Sequence, residues 1–168
     1  MNNEKNLLAF KKHVTLLSEE VYSELGSGFK EDTLQQALAI SFRQSNIKYL
    51  RETHLEIFYK KESLGLFRLD FFIPAQKTKK WELKTPVIIE TKASSKLNID
   101  ARLQLKNYLI SLPKNSSEEL RHIKEGLLIN WNNRLDPLEP SKKSQKSLHF
   151  SNGNLSRQKP RNFGEKNV

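Results

Sequence analysis

Two carboxylates in this sequence stand where an unpaired charge is costly. Asp70 lies within Leu69-Asp70-Phe71-Phe72-Ile73, and Glu90 directly follows Val87-Ile88-Ile89. Stripping water from an ionised carboxylate in such apolar surroundings costs several kcal/mol unless it is paired or binds a cation. Lys92 follows Glu90 by two residues, on the same face of an extended chain. Two acids beside an amine suit a hard divalent cation, which takes oxygen ligands and completes its shell with water. Mg²⁺ or Mn²⁺ held by Asp70 and Glu90, with the Thr91 carbonyl as a further ligand, can polarise a phosphodiester and activate water. Lys92 supplies fixed positive charge for the oxyanion or orients the attacking water. The competing reading makes both acids ordinary ion pairs, Asp70 with Arg68 and Glu90 with Lys92.

These residues must be positioned by regular elements. Leu7, Phe10, Val14, Leu17, Val21 and Leu25 recur at three- and four-residue spacing and predict a helix over 6–25, ended by Gly26-Ser27-Gly28. A second helix starts between Phe29 and Glu31 and carries Leu34, Leu38 and Phe42. Glu31 falls on its apolar stripe and is a candidate for a second metal or a metal-bound water. Alternation predicts a strand over 48–59, a turn at 60–65 and a strand over 66–73 that Pro74 stops. A polar loop over 75–84 leads to an apolar, central strand at 86–92. The next helix spans about 99–112, and Gln104 borders its apolar stripe, where it can hydrogen-bond a water or a phosphate oxygen. A fourth strand is expected at 126–131. A helix bridging two strands is the crossover that parallel pairing requires, so the expected architecture is a mixed α/β sheet of four strands, in the order α-α-β-β-β-α-β.

Composition narrows the function. Leu, Ile, Val and Phe supply 48 of the 168 residues, enough to build a core in one domain. Without cysteine there is no disulfide framework, thiolate nucleophile or iron–sulfur site, so a metal must be held by oxygen or imidazole. No apolar run reaches membrane-spanning length and no secretory pattern opens the chain, which predicts a soluble, cytoplasmic protein. The formal charge of +10 points to a polyanion partner. Much of it sits after residue 140, in Lys142, Lys143, Lys146, Arg157, Lys159, Arg161 and Lys166 against Glu165 alone. That segment, 141–168, reads as a flexible basic tail able to contact nucleic acid. The four histidines lack metal-ligand spacing, and no phosphate-binding glycine loop is present. Trp81 and Trp131 are read as packing residues before base-stacking ones.

The runs Leu25-Gly26-Ser27-Gly28-Phe29-Lys30-Glu31, Ala37-Leu38, Arg68-Leu69-Asp70, Val87-Ile88-Ile89-Glu90-Thr91-Lys92-Ala93, Gln104-Leu105-Lys106-Asn107-Tyr108-Leu109 and Gly126-Leu127-Leu128-Ile129-Asn130 resemble, in order and spacing, the GxxExxY proteins of the PD-(D/E)XK nuclease superfamily. The resemblance covers residues 21–131. It departs from the family pattern at Leu34, where a tyrosine is usual, and at Leu69, where a proline is usual. It implies a restriction-endonuclease-like core over residues 1–140, with Asp70, Glu90 and Lys92 as the metal-and-lysine motif. Glu31 is then the helical acid and Gln104 the downstream polar residue. The expected activity is Mg²⁺- or Mn²⁺-dependent hydrolysis of nucleic-acid phosphodiesters, DNA before RNA; the sequence leaves the oligomeric state open, with a homodimer as one form it allows. The alternatives are a catalytically silent nucleic-acid-binding module of the same fold, and an interaction domain kept soluble by its tail.

Overall fold

The computed structural model describes residues 3–95, 99–131 and 148–150. Helix α1 (Asn3–Leu25) buries Phe10, Val14, Leu17 and Val21, the spacing read from the sequence. Gly26, at φ +80, closes it by donating its amide to the Tyr22 carbonyl at 3.0 Å, a left-handed exit that side chains disfavour. After a second positive φ at Gly28, helix α2 (Glu31–Gln44) opens on two acids, Glu31 and Asp32, where its dipole favours negative charge.

Strands β1 (Leu50–Tyr59) and β2 (Glu62–Ile73) form a long antiparallel hairpin. The expected six-residue turn at 60–65 is instead a two-residue turn, Lys60-Lys61, with both φ angles positive at 48° and 73°. Such turns match strand twist but usually carry Asn or Gly, which is why two lysines gave no signal. The loop after Pro74 contains a small hairpin of its own, β3 (Gln76–Lys77) with β4 (Glu82–Leu83). Strand β5 (Val87–Ala93) pairs antiparallel with β2, and α3 (Ile99–Ser111) carries the chain across to β6 (Glu125–Trp131), which pairs parallel with β5. A 3₁₀ turn at Leu112–Lys114 and the short helix α4 (Glu118–Arg121) bridge α3 to β6.

The four expected strands thus form the mixed sheet. A fifth short strand, β7 (Leu148–Phe150), adds antiparallel to β6, giving the order β1-β2-β5-β6-β7. It comes from the segment read as a tail; Lys142, Lys143, Lys146, Arg157, Lys159 and Arg161, expected there to contact nucleic acid, lie outside the described residues. Among the described residues no helix is long and apolar enough to cross a membrane.

The sheet separates two apolar layers. On one side Phe71, Ile73, Val87, Ile89, Ile129 and Trp131 pack under α1 and α2; on the other Leu55, Leu69, Phe72, Ile88 and Leu128 pack under α3. Both tryptophans are core residues. Trp81 meets Phe10 edge-on at 4.9 Å and donates to His13 Nδ1 at 3.0 Å, while Trp131 donates to the Ser18 carbonyl at 3.3 Å.

Gly126 sets how closely α3 approaches. A Cβ there would lie 2.7 Å from Leu105 Cδ1 and 3.3 Å from Ile88 Cγ1. Gly126→Ala is therefore expected to destabilise the fold by about 1–2 kcal/mol through overpacking, read as a lowered melting temperature. Leu105→Val in the same chain should recover most of the loss; a Gly126→Ala variant that melts with the wild type would show that α3 is free to move outward.

Candidate active site

The parity of β2 reverses at Asp70. Leu69 belongs to the α3 layer, yet Phe71 and Ile73 belong to the opposite one, as does Arg51, whose guanidinium stacks on Phe71 at 5.8 Å. The residue across from Asp70 on β1 is Glu52, held at φ +57, and neither the Glu52–Asp70 nor the Asp70–Glu90 position carries a ladder pairing. Backbone bonding there gives way to side chains. The Asp70 amide donates to Glu90 Oε1 at 3.4 Å, and the Thr91 amide donates to Asp70 Oδ2 at 2.7 Å. The two acids thereby lock neighbouring strands together at the point where the strands stop pairing.

The ordinary ion pairs are absent at both acids. Arg68 turns to Glu52, 3.3 Å away, and Lys92 turns to Glu31, with Nζ 3.7 Å from Oε1. Glu90 is 2 % exposed, and burial, reinforced by the neighbouring Asp70 charge, pushes its carboxyl up to about 8. Glu31 is raised too, by burial first, with Lys92 and the Ala93 amide opposing. That amide donates to Glu31 Oε2 at 3.1 Å, so both oxygens of Glu31 are engaged.

The five residues picked from the sequence fall into three positions. Asp70 and Glu90 meet directly. Glu31 and Lys92 form an ion pair beside them, so Glu31 is tied to the lysine, and no group of three acids or histidines stands ready to hold an ion among the described residues. Gln104 is half-buried on α3 and donates to the Tyr108 hydroxyl at 2.7 Å. Burial, then the charges of Glu90 and Asp70, raise that phenol, which places it within electrostatic reach of the acids.

The donor set fits a divalent cation held by two acids. Among the described residues, Asp70 Oδ1 and Glu90 Oε2 accept no hydrogen bond, and no lysine or arginine forms an ion pair with either acid. Around this centre the structure adds partners that the sequence did not single out. Gln35, buried on α2 four residues after Glu31, donates to Thr91 Oγ1 at 2.8 Å, and Thr91 Oγ1 donates to Asp70 Oδ2 at 2.8 Å. Arg51 donates to Gln35 Oε1 at 3.2 Å and to Asp32 at 3.0 Å. Asn130, fully buried on β6 beside Lys92, accepts from the Ser94 amide and hydroxyl and donates to its carbonyl, clasping the chain as it leaves β5. A helical i, i+4 pair of Glu31 and Gln35 on one face was the available signal for Gln35.

A family model for the PD-(D/E)XK nuclease superfamily matches residues 9–141, and that span takes in every one of these site residues. The chain belongs to the PD-(D/E)XK nuclease superfamily. No curated protein and no solved structure matches it. The mixed sheet flanked by helices is the restriction-endonuclease-like PD-(D/E)XK fold, and nucleases of this superfamily generally use divalent metal ions. The narrower likeness to the GxxExxY proteins rests on the motifs quoted above. At both positions where the chain departs from that pattern the core is closed, by Leu34 and Leu69, 1 % and 0 % exposed.

Proposed function

We propose that this PD-(D/E)XK protein is a Mg²⁺- or Mn²⁺-dependent nuclease that hydrolyses phosphodiester bonds, with DNA preferred over RNA. The observation that carries the reading is the meeting of Asp70 and Glu90 with no arginine or lysine among the described residues paired to either. Asp70 and Glu90 would hold the ion, with the Thr91 carbonyl as a further ligand. When bound, the ion supplies Lewis-acid polarisation of the phosphate and a more nucleophilic water. Lys92, steadied by Glu31, holds a positive charge beside the acids, where charge develops on the phosphate oxygens. Gln104, bonded to the Tyr108 hydroxyl on α3, would orient a water or a phosphate oxygen of the substrate.

The protein is further proposed to act in the cytoplasm, alone or as a homodimer, with its C-terminal basic residues adding phosphate contacts. The test offers single-stranded, duplex and branched DNA, and RNA, with Mg²⁺ or Mn²⁺ and with chelator. Cleavage that needs the ion, fastest on a DNA substrate, is the expected result; absence of ion-dependent cleavage across the panel would overturn it. Because β7 lies within 141–168, the tail is tested by substitution and not by truncation. Arg157→Ala, Lys159→Ala and Arg161→Ala together should flatten the salt dependence of DNA binding by a log–log slope of about 2–3. An unchanged slope would remove the tail from the interface.

A further inference from the structure

We propose that Thr91 and Gln35 are positioning residues that fix Asp70 for its cation, an inference that rests on the metal-site reading above. The direction of every hydrogen bond in the chain from Arg51 to Asp70 follows from chemistry alone. A guanidinium only donates, so the Gln35 atom 3.2 Å from Arg51 is the amide oxygen. The Gln35 nitrogen then faces Thr91, 2.8 Å from Oγ1, and it too only donates. The Thr91 hydroxyl must accept from Gln35, which commits its single proton to Asp70 Oδ2 at 2.8 Å. With the Thr91 amide at 2.7 Å, that oxygen holds two donors from one residue, and Oδ1 remains as the oxygen without a described donor.

Both residues are buried, Gln35 at 8 % and Thr91 at 0 % exposure, so water does not substitute for the missing partner. The arrangement also joins elements distant in sequence. Arg51 on β1, Gln35 on α2, Thr91 on β5 and Asp70 on β2 meet in one line, and Asp32 on α2 anchors its cationic end at 3.0 Å. Asp70 sits where its strand has lost ladder pairing on both sides, so these side-chain bonds stand in for the backbone as its restraint. Partners that orient a metal-binding carboxylate are commonly worth 10–100-fold in metal affinity.

The experiment measures Mn²⁺ binding by calorimetry, with thermal melting of each protein alongside. Thr91→Val keeps the shape and removes the hydroxyl; Gln35→Met keeps the length and removes the donor; Thr91→Ser restores the hydroxyl. The expected result is Mn²⁺ affinity about tenfold weaker in Thr91→Val and in Gln35→Met, both still melting cooperatively, and near wild type in Thr91→Ser. Wild-type affinity in Thr91→Val would overturn the proposal, as would equal loss in Thr91→Ser. If the wild type itself takes up no Mn²⁺, the nuclease reading fails, and a double-mutant cycle in denaturant between Thr91→Val and Asp70→Asn then decides the positioning claim. Non-additive losses support the restraint on Asp70; additive losses overturn it.

Discussion

Replacing Asp70, Glu90 or Lys92 by alanine is expected to slow nucleic-acid cleavage by at least about 10²–10³-fold, the scale on which loss of one group stabilising a developing oxyanion is felt. The geometry makes the three losses differ in kind. Asp70→Ala and Glu90→Ala remove an oxygen donor each and should abolish Mn²⁺ binding along with cleavage. Lys92→Ala should leave Mn²⁺ bound, because the ammonium pairs with Glu31 and touches neither acid. Glu31→Ala, which frees the lysine without removing it, should cost about tenfold, an effect carried by a positioning role. Single-turnover cleavage and calorimetry on the same preparations separate these outcomes. Equal activity in all four variants would place the chemistry elsewhere in the chain.

The second large effect concerns stability against pH in metal-free protein. Glu90 is raised in the folded chain from 4.5 to about 8, so the fold binds this proton more tightly than the unfolded chain does. A raised acid contributes its full stability below the ordinary value and loses it as pH climbs toward the raised one. Between 4.5 and pH 7 the loss amounts to about 3 kcal/mol from this residue, an upper figure for one buried site. The melting temperature of the metal-free wild type should therefore fall as pH rises through this range, by roughly 10 °C. Glu90→Gln, which cannot ionise, should melt at a nearly constant temperature over the same range. Added Mg²⁺ or Mn²⁺ should stabilise the wild type most near pH 8, where the ion competes with the fewest protons. Parallel melting curves for wild type and Glu90→Gln would show that the carboxyl ionises freely in the fold.

Much of the fold is legible because burial imposes periodicity. Phe10, Val14, Leu17 and Val21 mark α1, and Val87-Ile88-Ile89 mark a strand covered on both sides. Asp70 and Glu90 stand out for the same reason, as charges interrupting apolar strands. What escaped has no such signature. The Lys60-Lys61 turn reaches its left-handed conformation with residues that do not advertise it, and the two-residue strands β3 and β4 are too short for alternation to register. Gln35 and Arg51 look like ordinary polar residues until α2 is laid against β5, since their partners lie 56 and 16 positions away. Long-range geometry also displaces the competing ion pairs between sequence neighbours, since Arg68 goes to Glu52 and Lys92 to Glu31.

The break in ladder pairing at Glu52 and Asp70 divides the long hairpin into two stretches that are anchored differently. Inward of that pair, β2 is held in register by Phe71, Phe72 and Ile73 against β5; outward of it, residues 53–69 pair within the hairpin and make no ladder with β5. The outer stretch is tied down by Leu55 and Leu69 in the α3 layer, while residues 62–68 of β2 beyond them are exposed. That exposed end can change length or direction without replacing any residue of the Asp70–Glu90 junction.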